Sequence, residues 1–137
     1  MTPEPIVFGG CFGWYHAAAG NLGVILCSPH GYEELCVHRH WRKLAQNLAE
    51  RGLPTLRFDY SGTGDSVGDD ETPGQVAAWI DGIHDAVRIL RDISGVQRIA
   101  LVGLRMGAML AAAAAEQISD VAALVLLAPI GSGEACF

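Results

Sequence analysis

Basic residues are scarce in this sequence: nine Lys and Arg against fifteen Asp and Glu, for a net charge of −6 over 137 residues. Phosphate-backbone binding needs clustered cations, and the nine are scattered, so a nucleic-acid groove is excluded. Cysteine is sparse too. Cys11, Cys27, Cys36 and Cys136 include no CxxC pair, so zinc-finger and thioredoxin-like readings fail. Long apolar runs are missing. The longest is Val121–Pro129, far short of the roughly 20 residues a bilayer-spanning helix requires. The opening Met-Thr-Pro-Glu-Pro has no basic stretch followed by an apolar one, so no secretory signal is expected. With nothing implying an oxidising compartment or a membrane, the expectation is a cytoplasmic protein. Proline is infrequent, at six, whereas glycine reaches seventeen, which points to many tight turns rather than disorder.

What is present is the composition of one globular domain: half of the residues are apolar and 18% are charged. Ile6–Phe8 and Phe12–Tyr15 favour strands and are joined by Gly9-Gly10, a hairpin signal. Gly23–Cys27 is continuously apolar, as in a strand buried on both faces, with Cys27 expected to be a buried free thiol. From Cys36 to Arg51, the residues Trp41, Leu44, Ala45, Leu48 and Ala49 share one helical face, and Gly52 stands where a left-handed cap belongs. Pro54–Phe58 predicts the next strand, followed by a turn-rich loop over Asp59–Ser66. Thr72-Pro73-Gly74-Gln75 forms a capping box for a second helix striped by Val76, Trp79, Ile80, Ile83, Val87 and Leu90. Arg98–Val102 predicts a strand, and Met106 to about Gln117 an alanine-rich helix whose residues Ala111–Ala115 are expected to pack closely on a sheet. Val121–Ala128 predicts a last strand. Such alternation implies a three-layer α/β/α sandwich around a mostly parallel sheet.

Two loops carry chemistry. Gly103-Leu104-Arg105-Met106-Gly107 falls between strand and helix with the glycine spacing of a nucleophile elbow, G-x-S-x-G. Pro29-His30-Gly31-Tyr32 follows the third strand, and Asp59–Ser66 follows the fourth. Together the three segments resemble the α/β-hydrolase superfamily, particularly bacterial serine-aminopeptidase-like and exosortase-associated hydrolases. Asp59–Ser66 is similar to their D-x-R-G-x-G-x-S segment, with Ser61 in place of the arginine. The resemblance implies that residues 1–137 are a single partial domain, strands one to six of a truncated α/β-hydrolase fold. It places Arg105 at the nucleophile position. The backbone N–H groups of Met106 and of Tyr32, after His30 and Gly31, become the oxyanion-hole donors. The acid and histidine of the family's triad follow later strands and have no counterpart here.

Arginine is no acyl nucleophile, because its guanidinium stays protonated (pKa above about 12) and offers no lone pair. Cys27, Ser28, Ser61 and Ser66 lie near the same sheet edge but not on an elbow. His16 and His84 fall within elements where packing roles are the plain reading. His38 and His40 flank Arg39 without a third ligand, so no metal is expected, nor any cofactor. Arg105 has two readings. Backbone donors, a helix N-terminus and a guanidinium converge on an anion, whether carboxylate, phosphate or acyl-carrier group. Alternatively, Arg105 forms an internal ion pair with Glu33 or Glu34. Two functions follow: a non-catalytic module on a hydrolase scaffold, or half of an acyl ester or amide hydrolase completed by a partner or a longer parent chain. The apolar run from Val121 to Leu127 further predicts self-association, or docking of a complementary chain, at the last strand.

Overall fold

A computed structural model describes residues 3–8, 11–27, 32–59, 75–104 and 106–127, the side chains of 32–38, 59, 75–76 and 106 excepted. Among the described residues, six strands and three helices follow in the order β1 (Glu4–Phe8), β2 (Cys11–His16), β3 (Leu22–Cys27), α1 (Tyr32–Glu50), β4 (Thr55–Asp59), α2 (Gln75–Ser94), β5 (Arg98–Leu104), α3 (Met106–Ala115) and β6 (Val121–Leu127). β1 and β2 are antiparallel, and the pairing of Phe8 with Cys11 leaves a two-residue link. That link, Gly9-Gly10, lies outside the described residues, as do Thr72, Pro73 and Gly74 of the expected capping box.

The sheet order is β1-β2-β4-β3-β5-β6. β2 joins β4 antiparallel, and β4, β3, β5 and β6 run parallel. β3 therefore occupies the centre, and its unbroken apolar sequence is what a strand buried on both faces requires. Val24 and Leu26 turn to one face, where they pack with Trp41 and Ala45 of α1 and Ala100 of β5. Ile25 and Cys27 turn to the other, against a larger core that holds Trp79, Ile83, Val87 and Leu90 of α2 and Leu110, Ala111 and Ala114 of α3. The three layers follow from this split.

Local sequence explains the helix ends. After α1 the chain closes in a Schellman pattern: Gly52 N–H donates to the Ala49 carbonyl at 2.9 Å and Leu53 N–H to the Leu48 carbonyl at 3.0 Å. Gly52 sits at φ +93°, the left-handed conformation for which a glycine was expected. Two expectations need correction. α1 starts at Tyr32, four residues before the predicted Cys36. The apolar stripe begins only at Trp41, whereas Glu33 and Glu34 suit a first turn through their charge rather than their hydropathy. Nor do Ala111–Ala115 form one packed face. Ala108, Ala111 and Ala114 are buried, while Ala113 is exposed and Ala112 and Ala115 are half-buried. Five consecutive residues cover more than a full helical turn, so they cannot all share one side; only residues three or four apart do.

Candidate functional site

The chain reverses its direction of travel at β3. From β3 it crosses by α1 to β4 on one side. From β5 it crosses by α3 to β6 on the other, and the two helices lie on opposite faces. Crevices that bind ligands in open parallel sheets form at such switch points, outside the carboxyl ends of the strands. Here those ends are side by side: Cys27, the last residue of β3, pairs with Gly103 of β5. Residues 28–31 then lead into α1, and the single residue 105 leads from β5 into α3.

Gly103 is what permits the start of α3 to lie so close to the end of β5. A Cβ at Gly103 would stand 2.5 Å from the Ala108 Cα and from the Gly107 carbonyl oxygen, and 2.7 Å from the Ala108 nitrogen. The first turn of α3 is thus folded back against the end of β5, with backbone touching backbone. This is the physical content of the first glycine in Gly103-Leu104-Arg105-Met106-Gly107.

Of the site residues expected from sequence, Tyr32 and Met106 are the first residues of α1 and α3. The topology sets both helix N-termini at the joined ends of β3 and β5, and first-turn N–H groups lack partners within their own helix. Arg105, His30 and Gly31 lie outside the described residues, and so do Ser28, Ser61 and Ser66. Glu33 and Glu34 belong to the first turn of α1, their side chains outside the description.

Other titratable groups are fully placed. Cys27 is completely buried, as expected, and burial pushes its thiol up to about 12. A neutral thiol inside the core has no nucleophilic character at ordinary pH. His16 ends β2 opposite Thr55, the first residue of β4, and so lies at the far end of the sheet from Cys27 and Gly103. His40 is exposed on α1 and His84 is half-buried on α2, where its Nε2 has no partner. No group of three or more metal-ligating side chains occurs among the described residues. No described helix is long and apolar enough to cross a membrane.

One buried polar cluster escaped sequence reasoning. His16 and Arg57 are only 3% and 6% exposed, and Arg57 Nε donates to His16 Nε2 at 3.1 Å. The Arg57 guanidinium also lies 5.8 Å from the centre of the Trp14 ring, a cation–π contact. Desolvation, reinforced by the nearby Arg57 charge, lowers the His16 pKa to about 4. An arginine between the apolar Leu56 and Phe58, in the middle of an expected strand, was the available signal.

Comparison with known proteins agrees with this geometry. The human protein ABHD12B is 31% identical over 123 residues, which make up 85% of this chain but 32% of that protein. DcsB, solved in complex with its substrate analogue, superposes with a TM-score of 0.79 at 21% identity, covering 96% of this chain and 47% of its own. A serine hydrolase without lid from Xanthomonas campestris gives a TM-score of 0.76 at 19% identity, covering 93% of this chain and 61% of its own. At these identities the two structures establish a shared fold. The chain spans 32% to 61% of the length of these relatives. The sequence model for serine aminopeptidase S33 matches residues 22–135, from the start of β3 past the end of β6. By that match, and with this sheet, the chain belongs to the serine aminopeptidase S33 family of α/β-hydrolases.

Proposed function

We propose that this chain, by itself, is a non-catalytic α/β-hydrolase domain whose sheet-end crevice holds an anion instead of turning over an acyl substrate. One observation carries the reading: the single residue between β5 and α3, at the turn that Gly103 permits, is Arg105. In a hydrolase elbow that position holds the attacking group, and a guanidinium cannot attack. The best-placed substitute, Cys27, is a buried neutral thiol, and His16 is at the opposite end of the sheet. Oxyanion-type donors at Tyr32 and Met106, with no nucleophile or base, bind negative charge without a reaction to follow.

The guanidinium itself is answered by a carboxylate. A cation at a helix N-terminus is unfavourable by about 0.3–1 kcal/mol, and α1 brings Glu33 and Glu34 to the neighbouring strand end. A small carboxylate or phosphate takes the same place when the crevice is open. An experimental structure in which the Arg105 guanidinium has no carboxylate, anion or carbonyl within hydrogen-bond reach contradicts this part of the reading.

The function is tested by turnover of p-nitrophenyl acetate. The purified chain is expected to show none above background, and Arg105→Ser to restore little, because a serine without its base keeps only the modest help of the oxyanion hole. Robust turnover abolished by one substitution points instead to a hidden nucleophile. The second reading is an acyl ester or amide hydrolase whose remaining part comes from a partner or a longer parent chain. It is favoured by one fact, that the chain spans under a third of ABHD12B.

A further inference from the structure

At the end of the sheet away from the crevice, the last turns of α1 and the end of β2 leave between them a cleft of about 440 Å³, lined by His16, Ala17, Gln46, Ala49 and Glu50. That volume suits a small molecule. The strand register explains its polar wall. Trp14, Arg57 and Leu26 stand in one row across β2, β4 and β3, and His16, Thr55 and Val24 in the next, both on the face that α1 covers. His16 therefore closes the cleft from the sheet side, and Gln46 and Glu50, one helical turn apart, from the helix side.

The two ends of this cleft make opposite electrostatic demands. Arg57 and His16 are almost wholly buried, and burying a guanidinium beside an imidazole costs desolvation energy that apolar residues on the same face would not. Their hydrogen bond defines what His16 can offer. Arg57 Nε–H occupies Nε2, so Nδ1–H is the polar group the ring has left for a ligand. With its pKa held at about 4, the ring stays a neutral donor at ordinary pH, and the Arg57 charge behind it makes this end electropositive. Glu50 sets the other end. It is exposed in the last turn of α1, which carries no basic residue, and Arg51 follows, exposed and not part of the lining. The carbonyl end of a helix is partly negative, so a carboxylate there favours a cation beside it.

We infer that this cleft binds a small zwitterion of the α-amino-acid type, its carboxylate on His16 Nδ1–H and its ammonium on Glu50. The Gln46 amide can donate to the first group or accept from the second, and a short apolar side chain rests against Ala17 and Ala49. A simple anion would be drawn to one end and repelled by the other, in a chain whose net charge is already −6. A simple cation meets the reverse conflict at Arg57. Only a ligand carrying both charges satisfies both ends. The cleft is at the opposite end of the sheet from the elbow, so the inference stands whether or not the crevice is catalytic.

The test titrates free leucine into the isotope-labelled chain and follows the His16 ring nitrogens by NMR. Leucine at up to about 10 mM is expected to shift the His16 Nδ1 resonance saturably. Isocaproate, which lacks the ammonium, and isoamylamine, which lacks the carboxylate, should each bind at least about ten-fold more weakly. Leucine should bind Glu50→Gln at least about ten-fold more weakly too, and because Glu50 is exposed, the circular dichroism of that variant should match the parent. A His16 resonance that stays in place up to the same concentration overturns the proposal. So does saturable binding that survives unweakened when either charge is removed from the ligand or the carboxylate from position 50.

Discussion

His16 accepts the Arg57 Nε–H through its own Nε2, so the proton of the neutral ring is on Nδ1. Protonating Nε2 would break that bond and set two buried cations together. The histidine pKa is accordingly held at about 4, below its ordinary 6.5, first by desolvation and then by the Arg57 charge. The sign follows from linkage. Between those two values the unfolded chain binds a proton that the folded chain refuses, so stability is full above about pH 6.5 and drains away as the pH falls towards 4. The slope from this residue reaches at most about 1.4 kcal/mol per pH unit. Urea unfolding of the chain and of His16→Gln between pH 7 and pH 4.5 checks it. The variant should be less stable at pH 7 by about 1–3 kcal/mol, through a disturbed buried hydrogen bond, yet lose less on acidification. Equal acid slopes for the two proteins would contradict the assignment.

At the scale of elements, the β5–α3 turn depends on backbone approaching backbone. A methyl group at Gly103 meets the Ala108 Cα and the Gly107 carbonyl at 2.5 Å, and neither atom can swing aside as a flexible side chain does. Gly103→Ala should therefore cost at least about 2–3 kcal/mol, near the upper end of ordinary overpacking. Thermal unfolding measures it, with Ala113→Ser on the exposed side of the same helix as a control expected to cost less than about 1 kcal/mol. A Gly103→Ala protein as stable as the parent would show that the turn opens more readily than its packing implies. What such a turn can be used for is decided elsewhere, by the side chain at position 105.

For the whole molecule, periodicity made the architecture readable. The continuous apolar run of β3, the stripes of α1 and α2 and the Gly52 cap each state a local requirement that the sheet then meets. Long-range pairing was not readable. Nothing in Cys11–His16 announces that β2 adds to β4 rather than to its sequence neighbour β3, and so nothing announced that His16 would meet Arg57, 41 residues away. The five-alanine run misled because composition carries no direction: Ala111 and Ala114 face inward while Ala113 faces out. At the site, the glycine spacing anticipated the close approach at Gly103, whereas the start of α1 at Tyr32 was not anticipated; the paired ends of β3 and β5 are where α1 and α3 begin. His30, Gly31 and Arg105 lie outside the described residues, so the chemistry at the crevice rests on residue identity. A family fold alone does not confer the family's reaction. The most direct test of that distinction is labelling with a reactive fluorophosphonate, read by intact mass. A hydrolase elbow with a working nucleophile takes up one phosphonyl group and loses fluoride. The chain is expected to keep an unmodified mass at neutral pH, and a stoichiometric single adduct, mapped to any one residue, would contradict a non-catalytic crevice.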